Sequence, residues 1–140
     1  MPGTKNTNRV RLLFEDLQSA GIDHSIFFYT NAVKCPANPN AGQSKKCIIN
    51  CEEYLKLQIE AIKPKIIIVV GSAAKYLGLK RASKDSIERD SYEGVSAIII
   101  RHPQAASLKY RKKAIRRIKY DLTQLNITTA CTATAKSRRE

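Results

Sequence analysis

Apolar positions recur at helical spacing in some stretches of the chain and run unbroken in others, and the alternation of the two patterns predicts most of the architecture. From Arg9 to Ala20, Val10, Leu13, Phe14 and Leu17 share one helical stripe, with Asn8 placed to cap its start and Gly21 to stop it. Residues 46–62 repeat the pattern through Ile48, Cys51, Leu55, Ile59 and Ile62, and Pro64 closes that helix. A last helix over 106–125 turns Leu108, Ile115, Ile118, Leu122 and Leu125 inward, while Lys109, Lys112, Lys113, Arg116, Arg117 and Lys119 cover much of the rest as a solvated face. Between these lie the apolar runs Ser25–Tyr29, Ile66–Val70 and Val95–Ile100, read as strands, the second as one buried on both faces of a parallel sheet. Residues 73–77 form a short helix, and the charged stretch 78–94 a surface excursion able to approach DNA.

Helix, strand, helix, strand, helix, strand, helix is a βαβ order, which calls for an α/β fold: three layers, α/β/α, around a short parallel sheet. Ligands of such sheets bind beyond the carboxyl ends of the strands. Asn31 follows the first strand, Gly71-Ser72 the second and His102-Pro103 the third, so these residues are the candidates for chemistry. The Asn31 carboxamide donates and accepts at once, which suits a nucleobase edge. Gly71-Ser72 lacks the glycines and the Lys-Ser/Thr pair of a phosphate loop, so that reading is rejected.

Composition narrows the class. The 140 residues make one domain, expected over 9–125, with a flexible lead-in at 1–8 and a disordered basic tail at 126–140. No apolar run approaches the length of a membrane span and no signal-peptide pattern follows Met1, so a cytoplasmic, nucleoid-associated protein is expected. A net charge of +13, from 25 basic and 12 acidic residues, points to a polyanionic partner, of which nucleic acid is the commonest. Cys47 and Cys51 fall one turn apart on the second helix, Cys35 precedes them in a Pro-flanked loop, and Cys131 lies in the tail. In a reducing compartment these read as thiols or metal ligands rather than disulfides.

The run Tyr29-Thr30-Asn31-Ala32-Val33-Lys34-Cys35, then Cys51-Glu52-Glu53-Tyr54-Leu55, resembles the middle of the iron–sulfur uracil-DNA glycosylases of thermophiles. The likeness continues through Ile62-Lys63-Pro64-Lys65-Ile66 into the strand ending at Gly71, and through the HPSAAL-like Arg101-His102-Pro103-Gln104-Ala105-Ala106-Ser107-Leu108. The resemblance implies a base-excision repair hydrolase that flips uracil out of DNA, single- or double-stranded, and cleaves its N-glycosidic bond. It implies that Asn31 reads the uracil edge and His102 stabilises the departing base. Gly71, Ser72 and Pro103 would line the substrate site, and Cys35 and Cys51 would ligate a 4Fe-4S cluster.

The 140 residues contain no G-E-x-P-G motif of the kind with which that family positions the attacking water, and no preceding cysteine pair. The expectation is therefore a glycosylase-like domain without its amino-terminal strand, impaired as this chain. Its open sheet edge would take a separate amino-terminal chain or a second copy. A cluster is expected to bind poorly with Cys35 and Cys51 as the matching ligands. Two alternatives stand beside this reading: a non-catalytic DNA-binding remnant of the fold, and a small metal-thiolate protein using Cys35, Cys47, Cys51 and Cys131.

Overall fold

A computed structural model of the chain describes residues 4–32 and 45–126. Two compact units divide them, one from Met1–Tyr29 with Arg101–Glu140 and the other from Thr30–Ile100.

The first unit is helical. Helix α1 spans Thr4–Ser19, so it starts ahead of the expected Arg9 and takes in part of the supposed lead-in, with Asn8 inside the helix rather than capping it. It ends as its sequence requires. Gly21 adopts φ +80°, its N–H donates to the Gln18 carbonyl at 3.0 Å, and the Ile22 N–H reaches back to Leu17 at 2.9 Å. Leu17 and Ile22, each 1% exposed, close this Schellman turn with an apolar contact.

Helix α4, Leu108–Gln124, begins where Ser107 caps it by accepting from the Tyr110 N–H at 3.1 Å. It buries Tyr110, Ala114, Ile115, Ile118 and Leu122, whereas Leu108, expected inside, is largely exposed because it stands at the first helical position. Arg111 grips Asp16 of α1 with two bonds of 2.9 and 2.8 Å, and Lys119 donates to the Ala20 carbonyl at 3.0 Å.

Ser25–Thr30 is not a strand. The Asp23 carboxylate accepts from both the Ser25 N–H and its hydroxyl, at 3.0 and 2.7 Å, which bends the chain into a 3-10 turn over His24–Ile26. The following residues have no ladder partner among the described residues, and Tyr29 packs edge-on against Phe14 of α1 at 6.3 Å.

The second unit holds the sheet. Helix α2, Lys45–Ile62, buries Cys51 and Leu55 of its predicted stripe, leaves Ile48 and Ile59 partly buried and exposes Ile62 in its last turn, and Lys63 leaves it at φ 52° before Pro64. Strand β1, Ile67–Val70, pairs in parallel with β3, Val95–Ile100, while β2, Glu88–Tyr92, pairs antiparallel with β3. The sheet order β1-β3-β2 is therefore mixed rather than all-parallel, and the supposed surface excursion supplies its edge strand. Glu93 and Gly94, both at positive φ, make the two-residue turn that matches strand twist in a hairpin. The polar residues of β2 suit an edge, where charge blocks further pairing.

Val69, Ala97 and Ile99 form the core with Ala74 of the short helix α3, Ala73–Tyr76. Ile98 and Ile100, which alternate to the other face of β3, are also buried, so that strand is covered on both sides. In β1 only Val69 is fully buried, short of the burial on both faces that its apolar run predicted. The α/β class stands, with a small sheet in which one strand pair is parallel.

Candidate functional site

Val70 pairs with Ile100, so the turns after β1 and β3 both follow carboxyl ends of parallel strands. Gly71 is buried at φ 61° and its N–H donates to the Ile100 carbonyl at 2.9 Å, one bond beyond the regular ladder. A side chain at that backbone angle would be strained. Ser72 is exposed at the start of α3 and makes no side-chain cap bond. Gly78, at φ 71°, ends α3 with the same turn that ends α1, Leu79 N–H donating to Ala74 at 2.9 Å.

Beyond β3 the chain is held by three local bonds. The Arg101 N–H donates to the Tyr110 hydroxyl at 3.0 Å. His102, extended at φ −61° and ψ 129°, caps a 3-10 turn over Pro103–Ala105, and its Nδ1 accepts from the Gln104 N–H at 3.2 Å. An Nδ1 that accepts cannot carry the proton of a neutral imidazole, so the proton sits on Nε2 and that nitrogen is a donor. Ala105 N–H then donates to the His102 carbonyl at 2.9 Å, and Pro103 is buried. The HPQAAS stretch thus ties the His102 side chain to the Gln104 amide and its carbonyl to the Ala105 amide. Sequence reading found His102 and missed the Gln104 amide, the Tyr110 hydroxyl and the Ser107 cap; the Ser-x-x-Tyr spacing was the available signal for the cap.

Asn31 is partly buried, and the neighbouring Thr30 hydroxyl donates to Gln58 of α2 at 3.3 Å, so helix and loop meet beside it. Asn31, Gly71 and Ser72 belong to the second unit, and His102 and Pro103 to the first.

Cys51 is buried at 4% exposure, and its Sγ lies 3.9 Å from Cys47 Sγ one turn earlier. Cys47 is disulfide-bonded, which departs from the thiol or metal state expected of it, while Cys51 remains a thiol. Cys35 and Cys131 lie outside the described residues. Among the described residues no three His, Cys, Asp or Glu side chains are grouped to hold a metal ion. A four-iron cluster takes four thiolates, one at each iron, and the described residues offer two sulfurs, one of them committed to a disulfide. The described residues alone do not supply that set, and Cys35, the other ligand that the resemblance implies, lies outside them.

Tyr92, at the end of β2, is the neighbouring oddity. It is 8% exposed and its hydroxyl has no hydrogen-bond partner among the described residues. Burial, and then the charges of Glu52, Glu93 and Glu53, push its phenol up to about 12. Lys56 bridges Glu52 and Glu93 at 3.9 and 3.7 Å, tying α2 to the β2–β3 turn.

The profile of the Uracil DNA glycosylase superfamily matches residues 6–123. The chain belongs to that superfamily. It is 30% identical over 106 residues to the type-4 uracil-DNA glycosylase of Archaeoglobus fulgidus, covering 68% of this chain and 53% of the relative. The type-4 uracil-DNA glycosylase of Pyrobaculum aerophilum is 33% identical over 117 residues, which are 76% of this chain and 58% of that protein. Saccharolobus solfataricus has another, 41% identical over 51 residues, 36% of this chain and 24% of the relative. The chain thus spans little more than half the length of the two relatives it matches over most of its own length. Among the described residues no helix is long and apolar enough to cross a membrane.

Proposed function

We propose that this chain is a uracil-DNA glycosylase-like protein of base-excision repair that supplies base recognition and leaving-group stabilisation for removing uracil from DNA. Hydrolysis breaks the bond between the sugar carbon and uracil N1, joins water oxygen to that carbon and sends the base away as an anion. The base must first leave the stack, which costs a few kcal/mol and is offset by contacts in the pocket. Asn31 presents its carboxamide to the uracil edge, donating to a carbonyl and accepting the imide N–H, a pair that cytosine does not offer together. His102 donates from Nε2 to a uracil oxygen as negative charge grows there. A preorganised donor of this kind is worth about 3 kcal/mol. Gly71 and Ser72 border the substrate, and Pro103 with the residues after it presses on the duplex that the base has left.

The observation that supports this reading is the His102 turn, in a stretch that resembles the family's HPSAAL-type motif, where a backbone N–H on Nδ1 leaves Nε2 of the neutral imidazole as a donor. No step is assigned to a cluster. Because the 140 residues hold no G-E-x-P-G motif, the chain alone turns over feebly, and it gains activity from a segment bearing that motif, added in cis or as a second chain. General-base assistance of the missing kind is worth about 10² to 10⁴ in rate.

The test is alkaline cleavage of a labelled, uracil-containing single strand by the chain alone and with the corresponding amino-terminal segment of a relative. Weak excision alone and strong excision with the segment is the expected pair of results. Uracil-independent DNA binding with no excision in either case would favour a non-catalytic DNA-binding protein instead.

A further inference from the structure

The exposed side of α4 is charged in a way that helix stability does not explain. At 3.6 residues per turn, Lys109, Lys112, Lys113, Arg116, Arg117 and Lys119 fall within roughly 160° of the circumference, opposite the buried Ile115, Ile118 and Leu122. Tyr120, 56% exposed, sits among them. The single acid of the helix, Asp121, lies outside that arc and is partly buried.

Solvated helix faces gain from mixed signs at i,i+4, but here Lys109 faces Lys113, Lys112 faces Arg116 and Lys113 faces Arg117, all repulsive. The polarity is also reversed. The first turn holds Lys109 and no acid, and the last turn holds no base, the opposite of what the helix dipole favours. Arg111 and Lys119 are engaged with Asp16 and the Ala20 carbonyl, yet neither draws an acid into the arc. A row of cations kept at a cost to its own helix, about two side chains per turn over about 15 Å, fits a row of phosphates. The amino-terminal end of the helix dipole adds to that attraction.

We propose that this face of α4 is a sequence-independent binding surface for the DNA backbone, with Lys109, Lys112, Arg116 and Arg117 as its principal contacts. The proposal rests on DNA being the partner but not on excision, so the probe is a labelled duplex without uracil.

Binding of the 140-residue chain, followed by fluorescence anisotropy across a salt series, is compared for wild type and the combined variant Lys109→Gln, Lys112→Gln, Arg116→Gln, Arg117→Gln. The slope of log affinity against log salt should fall by about 3 to 4, near 0.9 for each phosphate contact, and low-salt affinity by about a hundredfold. A control, Arg11→Gln, Lys46→Gln, Lys63→Gln, Lys65→Gln, removes the same charge elsewhere and should move the slope by less than about 1. Equal losses in both variants, no loss in the α4 variant, or wild-type binding to anionic phospholipid vesicles but not to DNA would overturn the proposal. Should the α4 variant lose its circular dichroism, acetylation of the wild type decides. Protection of Lys109 and Lys112 by duplex supports the assignment, and unchanged labelling refutes it. Binding through α4 without any excision by the complemented chain would keep this surface and sink the glycosylase reading.

Discussion

Replacing Tyr92 by Phe should make the protein more stable. The side chain is 8% exposed, and its hydroxyl is buried without a hydrogen-bond partner among the described residues. Such a group loses its water on folding and gains nothing in return, a cost of about 1 to 3 kcal/mol. Phenylalanine keeps the ring and removes the orphaned oxygen, so the variant should gain about 1 kcal/mol at neutral pH.

The pH dependence gives a second handle. Burial and the nearby Glu52, Glu93 and Glu53 raise the phenol from 10.0 to about 12, so the fold favours the protonated form. That preference is fully in place below the unfolded pKa of 10.0 and is lost as pH climbs through the folded value of about 12. Two units correspond to at most about 3 kcal/mol, which the wild type loses and the Phe variant does not. Urea unfolding followed by circular dichroism, run on both proteins from neutral pH into the alkaline range, isolates this effect, because every lysine titration is common to the pair. A variant less stable at neutral pH, or a difference that does not widen above pH ~10, would refute the reasoning.

Two further outcomes follow from the same geometry. Asp16→Asn should cost about 1 kcal/mol in urea unfolding, and Arg111→Lys should cost nearly as much, since an ammonium cannot reproduce the two-pronged contact. The purified chain should show little absorbance near ~400 nm after iron and sulfide reconstitution, because four thiolates are wanted and Cys35 and Cys51 are the two that match the ligands the resemblance implies. A stoichiometric cluster in the monomer would contradict that.

Much of the fold was legible because burial imposes period and chain chemistry imposes ends. The stripe of α2, the run of β3 and the stops at Gly21 and Pro64 each follow from side chains acting within a few residues. What failed depended on distant or competing partners. Ser25–Thr30 has strand composition, but a strand needs a ladder, and Asp23 offered the Ser25 amide a nearer acceptor. Residues 88–92 look like charged surface because an edge strand is one, and the Glu93-Gly94 turn is a weak hairpin signal compared with Asn-Gly or Asp-Gly. At the site, the positions of Gly71 and His102 followed from strand ends alone. The tautomer of His102 did not, because it depends on a backbone N–H two residues on. Cys47 was read as a thiol or a ligand, and only coordinates reveal a disulfide.

The account turns on His102 acting as a donor to the leaving base. The direct measurement is single-turnover uracil excision by the chain complemented with an amino-terminal segment, comparing wild type with His102→Ala, alongside DNA affinity measured on a uracil-free strand. A loss of about 10² to 10³ in excision rate with unchanged affinity is the predicted result, the size expected for removing one preorganised donor from an oxyanion site. Equal excision rates for the two proteins would contradict the role of His102 and the site built around it.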